Sequence, residues 1–223
     1  MDSAKAVDFA IQLAVILFAI SFHESAHAWM ASRWGDTTAK DLGRISMNPL
    51  RHIDLFGSVI LPILLYFTSG LLFAYAKPTP VRLENTRDPR RADRWISAAG
   101  PLSNFLLAAI GVLLLLGVRA LTRGSFAAAG AAGSVVAPLV VVFFAFVRVN
   151  IVLGVFNLIP LPPLDGSWVL SSLVPSLRRF FESIAPFGFL ILIVLSGTRI
   201  LGLVMGPPLA FLFGVVERVL GLR

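Results

Sequence analysis

Two histidines stand four residues apart, with a glutamate directly after the first: His23-Glu24-Ser25-Ala26-His27. On an α-helix, positions i and i+4 share a face, so both imidazoles can bind one cation while Glu24 reaches a water on it and takes its proton. In a water-soluble helix the same five residues also arise as an ordinary helical ion pair. Here they lie in residues 9–32, an apolar run whose one acidic residue is Glu24. Ionisable groups in such a run are costly and mark function. A hydrolytic zinc takes three protein ligands and leaves its fourth position to water, so a third His, Asp or Glu is required. The chain has no cysteine, which excludes thiolate ligands, disulfides and iron–sulfur clusters. Asp165 is the candidate in an apolar setting; it follows Phe156–Leu164 and precedes Gly166, which permits a turn. A cap for a helix beginning near Ser167 is an equally plain account of this aspartate. His52, the remaining histidine, reads as a supporting or headgroup-facing residue rather than a spare ligand.

The elements that must position these groups are apolar. Of 223 residues, 57% are hydrophobic and 14% charged, and the mean hydropathy is +0.86, which excludes an ordinary soluble domain. A spanning helix needs ~20 mostly apolar residues, and such runs occur at 9–32, 55–76, 95–118, 124–164 and 183–216. The opening run lacks a basic start and a small-residue cleavage site, so it is expected to be retained as a helix. The 124–164 run predicts a Gly- and Ala-rich loop near 124–133, a helix to about Val155 and a Pro-rich exit. Gly206-Pro207-Pro208 is expected to break the last run into a span and a shorter terminal helix. The fold class is an all-α polytopic membrane protein of about five to six embedded helices. A single integral-membrane domain over 1–223 is expected, with a core at about 5–170 and C-terminal helices at about 183–221.

The net charge of +7 could suggest nucleic acid, but in a membrane protein it reflects loops facing anionic headgroups, and no nucleic-acid partner is expected. The basic residues gather at 33–51, 77–94 and 178–179. The positive-inside rule places all three segments in the cytoplasm and the N-terminus outside. A fully crossing 55–76 would separate the first two, so this run is expected to be re-entrant, bending at Pro62 and Gly70. Depth agrees: His23 lies about 21 Å along a helix begun at Phe9, in a core of ~30 Å, towards the cytoplasmic side. With 55–76 re-entrant, the chain crosses twice between His27 and Asp165 and returns the aspartate to that same side. Arg148 and Arg199 fall in or near apolar runs and are expected to snorkel or pair internally. Asn104, one turn beyond Gly100-Pro101, reads as an interhelical hydrogen-bonding group.

Three blocks, SFHESAHAW (21–29), AAGPLSN (98–104) and FNLIPLPPLDG (156–166), resemble the site-2 protease family of intramembrane zinc metalloproteases (M50-type). GRISMNPL (43–50) and AYAKPTPV (74–81) extend the resemblance over about residues 5–170. A compact form is expected, without the inserted PDZ domain or the additional preceding helix of larger relatives. The resemblance implies one Zn2+ per chain, with His23, His27 and Asp165 as ligands and Glu24 as general base. It implies that Asn157 helps hold substrate or the oxyanion.

The expected function is endoproteolysis of peptide bonds within or near transmembrane segments, in regulated intramembrane proteolysis at a prokaryotic cell membrane. The expected partners are transmembrane protein substrates and the lipid bilayer, with a homo-oligomer or a regulatory membrane protein beside them. Because a transmembrane helix hides its carbonyls in hydrogen bonds, a substrate must unwind before cutting. Gly43–Pro49 is expected to form a short membrane-associated β-hairpin or strand that captures it by edge pairing. Two other readings compete: a scaffold or assembly subunit with a vestigial metal site, and an ion or proton transporter using the intramembrane His, Glu and Asp as a relay. Short basic loops and the absence of repeated halves argue against the transporter.

Overall fold

The computed structural model describes residues 3–69, 74–122 and 136–222. Among them the chain is helical with no strand. Five helical stretches are long and apolar enough to cross a membrane: Lys5–Trp34, Pro89–Leu121, Val136–Asn157, Pro175–Ser196 and Ile200–Val219. We number the helices that matter here as α1 (Ser3–Trp34), α2 (Thr38–Asp41), α3 (Leu61–Ser69), α4 (Pro89–Leu121), α5 (Val136–Asn157), α6 (Asp165–Leu173), α7 (Arg178–Ile184), α8 (Gly188–Ser196) and α9 (Ile200–Val219).

Helix α4 is the centre of the bundle and packs against α1, α5 and α6. It starts where Asp88 accepts a cap bond from the Arg91 N–H and Pro89 takes the first turn, whose N–H needs no partner. Its apolar face meets α5 through Ala108, Leu115, Val147, Ile151 and Val155, all buried. Towards α1 the seam is an apolar cluster in which Ala31 and Ala92 are fully buried beside Ile96. Helix α6 is bound to α4 at its far end. The Ser172 carbonyl there accepts from Arg90 Nε at 3.0 Å and from Arg94 at 3.3 Å, two cations at a helix C-terminus.

Several expectations change here. The last apolar run does not break at Gly206-Pro207-Pro208: α9 runs through both prolines, and the chain breaks at Gly197–Arg199 instead. Two prolines remove two N–H donors, but leaving the helix would orphan many more backbone groups in an apolar setting. Gly43–Pro49 forms no hairpin; it is an irregular run fastened to α1. Ser46 donates its N–H to Ser25 Oγ at 3.1 Å, and its carbonyl accepts from Ser25 Oγ and from His52 Nε2. A lone edge has no second strand to pair with, so side chains satisfy its inner groups. His52 is not headgroup-facing: it is buried at 1% exposure and serves as a bolt for this run.

Residues 55–76 contain a π-helical turn, Leu55–Ile60, followed by α3. The apolar helical stretch Leu55–Phe67 covers at most about 20 Å, short of a ~30 Å core. Pro62 sits buried at the start of α3, while Gly70 and the 124–133 loop lie outside the described residues. On the far side of this segment, Tyr75 donates to the Gly57 carbonyl at 3.0 Å and Lys77 to the His52 carbonyl at 2.9 Å. Residues Ala74–Val81 then pass along α1 as an extended strap.

Candidate metal centre

The strict helical phase of α1 stacks His23 and His27 on one face, with ring centroids 4.6 Å apart and nearly perpendicular. Both are buried. The third group comes from the far side of the bundle. Asp165 is the first residue of α6, and it makes no cap hydrogen bond; Leu164 occupies the cap position. Its Oδ2 lies 3.2 Å from His23 Nε2 and 3.4 Å from His27 Nε2, and the two Nε2 atoms are 3.0 Å apart. Gly166 permits this approach, because a Cβ there would stand 2.3 Å from the Leu158 carbonyl oxygen.

Tautomers follow from the outer partners. The Ile96 carbonyl can only accept, so at 2.6 Å His27 Nδ1 is its donor and Nε2 carries a lone pair. His23 Nδ1 faces Asn104 Oδ1 at 2.7 Å. Two imidazole lone pairs and a carboxylate oxygen therefore converge, and Asp165 Oδ2 is buried with no hydrogen bond to compensate it. With both imidazoles neutral, such a cluster is repulsive unless a metal cation sits in it. Two nitrogens and an oxygen bonded to one tetrahedral zinc at 2.0–2.2 Å would be about 3.3 Å apart, close to the three separations observed. The neighbouring wall leaves room: a Cβ on Gly100 would lie 2.4 Å from His27 Nε2 and 2.5 Å from His23 Nε2. Among the described residues this is the one group of three His, Asp or Glu side chains able to hold a metal.

Glu24 is half-buried beside His23, and the strap holds it. Its Oε2 accepts the Thr79 N–H at 2.8 Å, and its carbonyl oxygen accepts the Thr79 hydroxyl at 3.0 Å. Asn157 ends α5 and donates Nδ2 to the Leu153 carbonyl at 3.0 Å; no hydrogen bond joins it to the three converging groups. Sequence reading named His23, His27, Asp165, Glu24 and Asn157. It gave no site role to Thr79, Gly100 or Asn150. The one available signal for Thr79 was its place between Pro78 and Pro80, which makes its N–H the sole backbone donor of three residues.

A model of peptidase family M50 matches residues 11–135 and 119–195. A Bacillus subtilis protein named "Putative zinc metalloprotease YwhC" is 37% identical over 198 residues, covering 87% of this chain and 84% of its own. Rip2 of Mycolicibacterium smegmatis, named in the same words, is 33% identical over 188 residues, 84% of this chain and 66% of its own. Rip2 of Mycobacterium tuberculosis H37Rv is 30% identical over 211 residues, 93% of this chain and 72% of its own. No solved structure matches.

Proposed function

The chain belongs to peptidase family M50, and from that premise we propose that it hydrolyses peptide bonds within or at the edge of the bilayer, in transmembrane segments of other proteins, as a step of regulated intramembrane proteolysis. It is an integral-membrane zinc metalloprotease. The observation that carries the intramembrane reading is the burial of His23 and His27 on α1, a helix long and apolar enough to span, with Asp165 Oδ2 buried against them.

His23 Nε2, His27 Nε2 and Asp165 Oδ2 would hold the metal. Zinc bound there supplies acidification of a water and polarisation of the scissile carbonyl. Glu24 Oε1 takes the proton from that water and delivers it to the leaving nitrogen, while Thr79 keeps the other carboxylate oxygen fixed. Asn157 supports the developing oxyanion: one amide hydrogen is used on Leu153, leaving the second as a donor.

The run after α2 is read as the substrate's docking edge. Ser46 directs its N–H and carbonyl inward to Ser25 and His52. In an extended chain the neighbouring residues direct theirs the opposite way. Ile45 and Met47 thus offer an outward edge to an unwound segment, and their side chains are exposed. The pairing of Tyr75 with Gly57 and of Lys77 with His52 supports a re-entrant path for 55–76, with both its ends on one face. With the basic segments cytoplasmic, the N-terminus is outside and the centre opens towards the cytoplasm. The bacterial relatives support a prokaryotic cell membrane as the site of action.

Glu24→Gln tests the activity. The purified variant in lipid nanodiscs should keep wild-type zinc content and lose cleavage of a transmembrane substrate by roughly 10²–10⁴-fold. Cleavage at the wild-type rate would remove Glu24 as base.

A further inference from the structure

Helices α4 and α5 share a buried polar chain that points at the metal centre. His23 Nδ1 meets Asn104 Oδ1 at 2.7 Å, Asn104 Nδ2 meets Asn150 Oδ1 at 3.0 Å, and Asn150 Nδ2 meets the Phe146 carbonyl at 2.9 Å. Both asparagines have 0% exposure, so no water competes for their groups. The direction of the chain follows from its end. A backbone carbonyl can only accept, so Asn150 must present Nδ2 to Phe146 and Oδ1 to Asn104. Asn104 must then answer with its Nδ2, which also lies 3.5 Å from the Ala19 carbonyl, another obligate acceptor. That leaves Asn104 Oδ1 for His23, and an amide oxygen can only accept.

We propose that Asn104, oriented by Asn150, is a positioning residue that locks His23 in the Nδ1–H tautomer and thereby commits its Nε2 lone pair to the metal. The proposal rests on the reading of His23, His27 and Asp165 as ligands. His27 has a matching device in the Ile96 carbonyl, but that acceptor belongs to the backbone. The Asn104 link is made of side chains, so α5 reports on the metal centre through it. Without Asn104 the imidazole is free to take the Nε2–H form or to rotate, and either costs affinity. Partners of this kind are typically worth about 10–100-fold in metal affinity.

The full chain in nanodiscs serves for the test, with zinc affinity measured by chelator competition and the His23 tautomer read from 15N-histidine NMR. Asn104→Ala should weaken zinc about 10–100-fold and release the Nδ1–H signature of His23. Asn104→Asp keeps an acceptor for His23 Nδ1 but loses the Nδ2 donor to Asn150 Oδ1 and the Ala19 carbonyl, so it should recover the Nδ1–H signature and only part of the affinity. Asn150→Ala, which leaves His23 untouched but frees the Asn104 amide to turn over, should move affinity and tautomer the same way by a smaller amount; it decides the matter should Asn104→Ala not fold. Unchanged affinity and tautomer in the folded variants would overturn the proposal. His23→Ala is the control: zinc retained at wild-type affinity there would instead sink the ligand assignment beneath it.

Discussion

Thr79 holds Glu24 at two points. Its backbone N–H donates to Glu24 Oε2 at 2.8 Å, and its hydroxyl donates to the Glu24 carbonyl oxygen at 3.0 Å. Residues 55 apart in sequence are thus clamped across the strap and α1. A hydrogen bond to a charged group is worth about 1.5–3 kcal/mol, roughly 10–100-fold. Thr79→Pro, which deletes the N–H, should lower kcat by about that factor at unchanged zinc content, and Thr79→Val, which spares it, should cost only a few-fold. Turnover and metal analysis on the same preparations check this, and equal losses in the two variants would contradict it.

Gly100 faces the candidate metal centre, His23 and His27, with no side chain. A methyl group there would stand within 2.4–2.5 Å of both imidazoles, well inside van der Waals contact. Gly100→Ala should lose most of its zinc and activity while keeping its helical circular dichroism, because alanine favours the helix it joins. Full zinc occupancy in this variant would mean that the histidines sit elsewhere.

The docking edge predicts a contrast between neighbours. Met47→Pro removes an outward N–H, whereas Ser46→Pro removes the inward one held by Ser25 Oγ. Both should slow cleavage of a transmembrane substrate without removing zinc. For Met47→Pro the loss should appear mainly in kcat/KM. Unchanged turnover in both would discard edge capture.

Asp36 gives the acid limb of stability. It is fully buried and takes four donors: Arg82 N–H at 2.7 Å, Thr38 N–H at 3.1 Å, the Thr38 hydroxyl at 2.5 Å and Asn85 Nδ2 at 3.2 Å. Burial pushes its carboxyl up, but these donors outweigh it and hold the carboxyl below its ordinary value. A lowered folded-state pKa stabilises above the unfolded value of about 3.9 and is lost as pH falls through the folded one. Thermal melting should therefore weaken in wild type as pH drops below about 4. Asp36→Asn should melt lower at pH 7 and show less of that acid dependence. Parallel curves for the two proteins would rule out this contribution.

The sequence by itself determined whatever depends on local periodicity and composition. An i, i+4 histidine pair must share a helix face, long apolar runs must be embedded in the membrane, and a cysteine-free chain must build its metal site from His and carboxylate. Asp165 was legible for the same reason, as a carboxylate beside an apolar run. Its alternative role as a cap needed the structure, which shows Leu164 at the cap and the carboxylate among the imidazoles. Where the chain breaks after α8 also escaped sequence reading: the prolines at 207 and 208 carry a strong local signal, yet the helix continues through them. Asn104 was legible as an interhelical hydrogen-bonding group, and its hydrogen-bond partner Asn150, like Thr79, Gly100 and the inward burial of His52, belongs to tertiary structure. Thr79 meets Glu24 55 residues away, Asn150 meets Asn104 46 residues away and Asn104 meets His23 81 residues away, while Gly100 acts through the closeness of two helices. No spacing rule encodes such meetings, because they arise only when α4 and α5 pack on α1 and desolvate the groups between them, so that each buried donor must find the acceptor left to it.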